Sequence, residues 1–322
     1  MQLQLSSLPP SPVAPASRAS HHVAFVRALV EKGGPVPADF PAIGTWLNEL
    51  RSDLADGSLD AAGMAEVRAA FGDALSVETV QGMAYVKPRG YAGDFEVIDR
   101  IYRLHAAPQQ HLRRWDECVH ALGATRAVRN RKSYFHRLLE AYEASHPEAA
   151  RLTVLNVASG PGRDMYEYLE MQLATRVHFD CVEYDANAIE FAGDLCRDHA
   201  SRVGFTQANV LRFKSQKRYG LIWSAGLFDY FDDRRFVLVL RRLLACLAEE
   251  GELVVGNFAT GHASRDYMEL VCDWNLHHRS PEDLVELALQ AGVAREDIRV
   301  GREEEGVNLF LHLKRGAAFV ER

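Results

Sequence analysis

Two hydrophobic periodicities divide the chain. From Val23 to about His146, apolar residues recur every three or four positions, in HVAFVRALVEK, DFPAIGTWLNELRSDLADG, DAAGMAEVRAAFGDAL and RNRKSYFHRLLEAYEAS. That spacing gives a helix one apolar face. Asp60 stands where a helix N-cap belongs, and His146 with Pro147 ends the last of these helices. Beyond Pro147, short apolar runs (LTVLNVA, HFDCVEY, GFTQANV, GLIWSAG, GELVVGNF) alternate with amphipathic stretches (DMYEYLEMQLA, NAIEFAGDLCRDHA, RRFVLVLRRLLACLAEE). Strand and helix in alternation predict a parallel sheet with helices on both faces. The last stretch, DIRVGREEEGVNLFLHLKR, reads as two strands around a charged turn at Glu304 to Gly306. The expected class is α/β: a Rossmann-like sheet with a terminal antiparallel hairpin, preceded by a helical domain. The expected divisions are a disordered Pro-, Ser- and Ala-rich tail at 1–22, a helical domain at 23–147 and the sheet domain at 148–322. No internal repeat is present.

Composition narrows the classes. With 322 residues, 48% of them hydrophobic, the chain can bury a sizeable core. A net charge of -7 argues against a general nucleic-acid binder, which needs a basic excess. The five cysteines, Cys118, Cys181, Cys196, Cys246 and Cys272, are odd in number and scattered, with no C-x-x-C pair. That pattern suits a reducing compartment and neither a disulfide framework nor a zinc site. The first residues lack the basic start and apolar run of a signal peptide, and no apolar stretch is long enough for a bilayer. A cytoplasmic location follows as the expectation, and the oligomeric state stays open.

Chemistry is concentrated at VLNVASGPGRD, Val154 to Asp164, the first strand-to-helix turn of the sheet half. Gly160 and Gly162 permit backbone angles and approaches that a side chain would block, and Pro161 stiffens the turn. The next helix would begin near Arg163 with free N–H groups toward the crevice, where doubly wound sheets bind ligands. Such turns also occur for packing alone. Glu183 ends the second strand about twenty residues on, where a carboxylate can accept both hydroxyl protons of a ribose. Met165 follows where a third glycine would complete G-x-G-x-x-G, and no P-loop lysine is present, so phosphate binding is poorly supported.

The set LNVASGPGRD, VEYDANAIEFA, TQANVLRF, YGLIWSAGLFDYF and EEGELVVGNF resembles the class I S-adenosylmethionine-dependent methyltransferases in order and spacing, from Leu152 to about Lys314. Asn156 stands at the family's acid position and Ala158 at its first glycine. The resemblance implies S-adenosylmethionine as cofactor, with no metal. It implies that Ala158, Ser159 and Gly160 pack under the methionine and ribose and that Glu183 binds the ribose. It also implies Tyr184 against the adenine, Asn209 with the Val210 N–H at the adenine edge, Ser224, Ala225 and Gly226 below the sulfonium, and Asp164 at the ammonium. Asp185 reads equally as a helix cap.

VKPRGYAGDFEVIDRIYR, Val86 to Arg103, is the unusual stretch of the helical half. It reads either as a loop with Asp94 capping the next helix or as a lid over residues 86–95 whose glycines let it close. Together with RAVRNRKSYF, GNF and YMELVCDWNLHHRS, it resembles a narrower bacterial group associated with 3-hydroxypalmitic acid methyl ester, a cell-density signal, over about Gln81 to Lys314. The activity this implies is methyl transfer to a small molecule, with a 3-hydroxy fatty acid carboxylate suggested. An O- or N-methyltransferase of another biosynthetic pathway, and a non-catalytic cofactor-binding module, are the alternatives. Acceptor-site candidates are Tyr91, Asp94, Arg129, Asn257, Trp274, His278 and Arg279, with packing an equal reading for each and a helix end for Arg279. Tyr91, Asp229 and His262 are the catalytic candidates, the last two as bases for a hydroxyl or amine. His277 and His278, adjacent on a helix, would diverge by about 100° and not share one metal. Asn257 lacks a carboxylate neighbour for a magnesium site.

Overall fold

The computed structural model describes residues 18–314. Seven helices come first: α1 (Arg18–Glu31), α2 (Phe40–Ala55), α3 (Ala61–Ala69), α4 (Val80–Val86), α5 (Phe95–Tyr102), α6 (Gln110–His120) and α7 (Gly123–Ala144). Their starts follow from local chemistry. The carboxylate of Asp60 accepts the Gly63 N–H at 2.8 Å, and the hydroxyl of Thr79 accepts the Gly82 N–H at 3.0 Å. Asp94 Oδ1 accepts from Glu96 and Val97 at 2.9 and 3.0 Å. Each cap satisfies donors that the first helical turn leaves without partners.

The expected tail at 1–22 is too long. Residues 18–22 belong to α1, because His22 is fully buried and bonds Asp53 at 3.0 Å. The remainder of that tail lies outside the described residues. Helix α6 lies within the expected helical domain, though no helix of its own was expected there. Its sequence is mostly polar, and its inward face, Leu112, Trp115, Cys118 and Val119, also buries Asp116, which accepts the N–H groups of Val80 and Ala107 at 2.8 Å.

The sheet half runs β1 (Leu152–Val157), α8 (Arg163–Met171), β2 (Val177–Glu183), α9 (Ala186–Leu195), β3 (Val203–Gln207), β4 (Tyr219–Ser224), α10 (Asp233–Leu244), β5 (Leu247–Phe258), α11 (Pro281–Gln290), β6 (Ile298–Arg302) and β7 (Asn308–Lys314). The strand order is β3-β2-β1-β4-β5-β7-β6, parallel up to β5, with β7 antiparallel to both neighbours. This is the expected Rossmann-like sheet with its closing hairpin. The order reverses between β1 and β4, so the carboxyl ends of these two strands border the ligand crevice of such a sheet.

The segment Tyr267 to Arg279 departs from the helical reading of the two histidines. It makes one wide turn at Tyr267–Val271 and then runs without a helix, bridging Ala259 at Arg279. The hydrophobic core that holds Trp46, Phe71 and Trp115 from the helices also takes in Phe258, Tyr267, Val271 and Val307 from the sheet half.

Candidate active site

The glycine turn after β1 is held by three features. The Ala158 N–H donates to the Val182 carbonyl at 2.7 Å, which fixes the turn to the end of β2. Ala158, Gly160 and Gly162 all take left-handed angles, φ 54°, 54° and 67°. A Cβ on Gly160 would meet no protein atom within 4 Å, so space is left beside the backbone. Glu183, mostly buried at the end of β2, completes the turn. Its Oε2 accepts the Gly160 N–H at 2.9 Å, and its Oε1 accepts the N–H groups of Tyr184 and Asp185 at 2.7 and 3.0 Å.

A cavity of about 400 Å³ opens over this turn. Asn156, Ala158, Ser159, Gly160, Asp164, Glu183, Tyr184, Ala225 and Gly226 line it from the sheet half, joined by Tyr91 from the loop before α5 and by Trp274 and Asp229. Asn156 Nδ2 and Ser159 Oγ are buried and have no partner among the described residues. Unpartnered buried donors at a cavity wall are what a polar ligand satisfies. Tyr184 is 71% exposed beside the cavity, leaving its ring open to a flat partner. The turn, the carboxylate and these orphan donors fit an adenosyl group with an amino-acid tail.

Burial sets the electrostatics. It pushes the Asp229 carboxyl up to about 6, against the pull of Arg131 and Arg279. Asp229 Oδ1 accepts the Phe258 N–H at 2.5 Å, which seats it at the end of β5. Burial also raises the carboxyls of Asp164 and Asp94 and the phenols of Tyr91 and Tyr230. The Trp274 Nε1–H donates to the Tyr230 hydroxyl at 3.0 Å. Gly93 packs against that pair: a Cβ there would come within 2.3 Å of the Tyr230 hydroxyl and 2.7 Å of the Trp274 ring.

Other candidates stand apart from the cavity. Arg129 points away and donates to the His120 carbonyl at 2.9 Å. Asn257 is fully buried, donating to the carbonyls of Phe258 and His277 and accepting from Arg279. Arg279 is enclosed by Phe228, Phe231, Asn257 and Asp233, and so ties β5 to α10 instead of ending a helix. His262 and His278 meet each other, ring centroids 5.0 Å apart, outside the cavity. Burial and the neighbouring His278 lower the His262 imidazole to about 4, leaving it neutral. Gly162 sits behind the turn as the cap of α8, and Ser224 is buried beneath it. Asn209 and Val210 follow β3, where Asn209 Oδ1 accepts the Leu211 N–H at 2.9 Å; neither lines the cavity. Asp94 caps α5 behind the loop.

Several lining residues escaped the sequence reading: Phe95, Ile98, Tyr102, Val128, Arg131 and Tyr230. Arg131 had a signal. Ala124, Ala127, Val128, Phe135 and Leu139 form the buried stripe of α7, and Arg131 falls on it, seven residues after Ala124 and four before Phe135.

The methyltransferase-domain family description matches residues 154–251. No curated protein sequence matches the chain. Among solved structures, a possible exported protein from Bordetella parapertussis aligns over 96% of this chain and 100% of its own, at 19% identity and a TM-score of 0.61. The magnesium protoporphyrin IX methyltransferase of Synechocystis with bound S-adenosylhomocysteine aligns over 72% of this chain and 97% of its own, at 10% identity and a TM-score of 0.50. At these identities the likeness is one of fold. The methyltransferase-domain match runs from β1 into β5 and covers 98 of the 322 residues.

Proposed function

We propose that the protein methylates an oxygen of a small lipophilic acid, with a 3-hydroxy fatty acid as the leading acceptor and a methyl ester as the product. The observation that carries this reading is the far wall of the cavity. Phe95, Ile98, Val128, Phe258, Trp274 and Leu276 make it apolar. From Val128, Phe258 and Trp274 a narrow apolar pocket continues toward Val80, Ala84, Ile101, Leu122 and Met268. That side pocket is only about 30 Å³, room for the tip of an alkyl group, so a longer chain would lie along the apolar wall of the main cavity, where burial gains about 0.8 kcal/mol per methylene.

S-adenosylmethionine, when bound, supplies a methyl activated on a sulfonium. The chain's own residues then position and shield. Glu183 would accept the ribose hydroxyl protons while keeping its bonds to the turn, and Tyr184 would cover the adenine, with Asn209 and the Val210 N–H at its edge. Ala158, Ser159, Gly160 and Asn156 would line the ribose and methionine side, with Gly162 shaping the turn behind them. Asp164 would face the ammonium, and Ser224, Ala225 and Gly226 would support the sulfonium. Tyr91 would close the cleft and exclude water, with Asp94 holding its loop. A carboxylate acceptor is already ionised, so no base is needed: its oxygen would attack the methyl carbon in line, the C–O bond forming as the C–S bond breaks and the neutral thioether leaves.

A second reading, O- or N-methylation of a hydroxyl or amine, is favoured by one observation: Asp229 lines the cavity with its carboxyl raised to about 6, suited to accepting a proton near neutrality. A cytoplasmic location is supported by the five buried cysteines, which form no disulfide among the described residues. No described helix is long and apolar enough to cross a membrane.

The test is incubation with methyl-labelled cofactor and host extract, then mass spectrometry of labelled products. A product that loses label on mild alkaline hydrolysis supports the ester. An alkali-stable product supports the second reading, and no labelled product overturns both.

A further inference from the structure

We propose that Arg131 and Tyr102 form a carboxylate-binding subsite in the wall of the cleft, against the turn that follows β4. The proposal rests on the reading of this cavity as the cofactor and acceptor cleft, and it adds a residue pair that neither the family match nor the motifs single out.

Arg131 is the one Lys or Arg among the described residues lining the cavity, and it is only 7% exposed. Its Nε–H donates to the Tyr102 hydroxyl at 3.0 Å, and no other hydrogen bond or ion pair engages its guanidinium among the described residues. Nη1 lies against Gly226, where a Cβ would approach it to 2.8 Å. A buried cation without a bonded anion is costly, and proteins keep such an arrangement where a ligand completes it.

The other buried arginine of this half shows what a structural role looks like. Arg279 spends its donors on the carbonyls of Phe228 and Phe231 and on the side chains of Asn257 and Asp233. Neighbouring cations are also spoken for: Lys132 pairs with Glu167 and Arg163 with Asp99. Arg131 alone is left with a neutral partner and open Nη groups at a cavity wall.

The chemistry of the ligand follows from the donors. Two Nη groups in a planar fork match the two oxygens of a carboxylate. Tyr102 adds an O–H: its oxygen accepts from Arg131, so its proton is left to donate, and burial keeps the phenol protonated by raising it to about 12. A phosphate dianion is a poorer fit than a carboxylate, because the other charged residues lining the cavity are Asp164, Glu183, Asp185 and Asp229, which repel a dianion about twice as strongly as a monoanion. The carboxylate comes either from the methionine part of the cofactor or from an acid acceptor.

Calorimetric titrations of the full chain, Arg131→Met and Arg131→Lys distinguish these sources. The probes are S-adenosylhomocysteine, methylthioadenosine (which lacks the amino-acid part) and 3-hydroxydecanoate added to the S-adenosylhomocysteine-loaded protein. A loss of about tenfold or more for S-adenosylhomocysteine in Arg131→Met, with methylthioadenosine unchanged and Arg131→Lys intermediate, supports the subsite with the cofactor carboxylate as its ligand. Unchanged S-adenosylhomocysteine with loss of 3-hydroxydecanoate binding supports the subsite with the acceptor. The ligand-free Arg131→Met protein should melt close to the parent, since no hydrogen-bonded ion pair is broken and the loss of a buried charge offsets the loss of its attraction to Asp164 and Asp229; a markedly lower melting point together with equal losses for all probes would mark Arg131 as structural and overturn the proposal. It is equally overturned if Arg131→Met binds every probe as the parent does, or if 3-hydroxydecanoate shows no Arg131-dependent binding while S-adenosylhomocysteine affinity is unchanged. If the parent binds neither nucleoside, the reading of the cleft itself fails and takes the subsite with it.

Discussion

Ala158 holds φ at 54°, a region in which an L side chain costs about 1–2 kcal/mol. Ala158→Gly should therefore raise stability by about 0.5–1 kcal/mol, after the greater freedom of glycine in the unfolded chain is subtracted, read as a higher melting temperature. Glu183→Ala removes the acceptor of three backbone N–H groups as well as the carboxylate proposed to hold the ribose. S-adenosylhomocysteine affinity should fall by about tenfold or more, and unchanged calorimetric affinity would refute the ribose role. Asp229 gives a pH signature. Its carboxyl is raised from 3.8 to about 6, so the fold favours the protonated form. That contribution is full below about pH 4 and is lost as pH rises through about 6, an effect of about 3 kcal/mol. Asp229→Asn should flatten the stability-against-pH curve between those limits, and an unaltered curve in chemical denaturation would contradict it. At this scale the acids and small residues of the glycine turn were legible because strand ends and turn chemistry are local. Arg131 was passed over for Arg129, two positions away and on a divergent side of the same helix, because the charged run RNRK obscured the stripe.

Among the elements, the loop between α4 and α5, proposed above as a lid, is where a change of local structure is expected to reach turnover. Asp94→Ala removes the cap of α5, worth about 1 kcal/mol, and loosens the loop that carries Tyr91. Turnover should fall more than cofactor affinity, and Tyr91→Phe should behave alike; normal turnover in both variants would remove the lid role. Gly93→Ala tests the same contact from the opposite direction, since its Cβ cannot coexist with Tyr230 and Trp274 as placed. Strands β1 and β4 were readable because their apolar runs are continuous and buried on both faces. The segment from Tyr267 to Arg279 was not, because its path is dictated by contacts distant in sequence: Tyr267 bonds Gln81, Lys87 pairs with Asp273 at 2.5 Å, and the His277 N–H donates to the Asp229 carbonyl at 2.7 Å.

In the whole molecule, the helical and sheet halves share a core and are clamped by Arg51 on Asp266 and Glu269 and by Arg68 on the Leu270 carbonyl. Thermal unfolding should therefore appear as a single calorimetric transition; two separated transitions would show that the halves fold independently. The change of periodicity near Pro147 marked where strands begin, but it carried no information about the shared core, which depends on packing between distant residues. Helix α7 joins the halves without a break. Its 22 residues span about 33 Å, with Ala124, Ala127 and Val128 seated among the helices and Phe135 and Leu139 beneath the sheet. A single residue inserted at its middle would turn everything beyond by about 100° and swing Phe135 out of its seat. This rod therefore forbids the small insertions that a flexible linker would absorb, and any drift in chain length must be taken up in the surface loops instead.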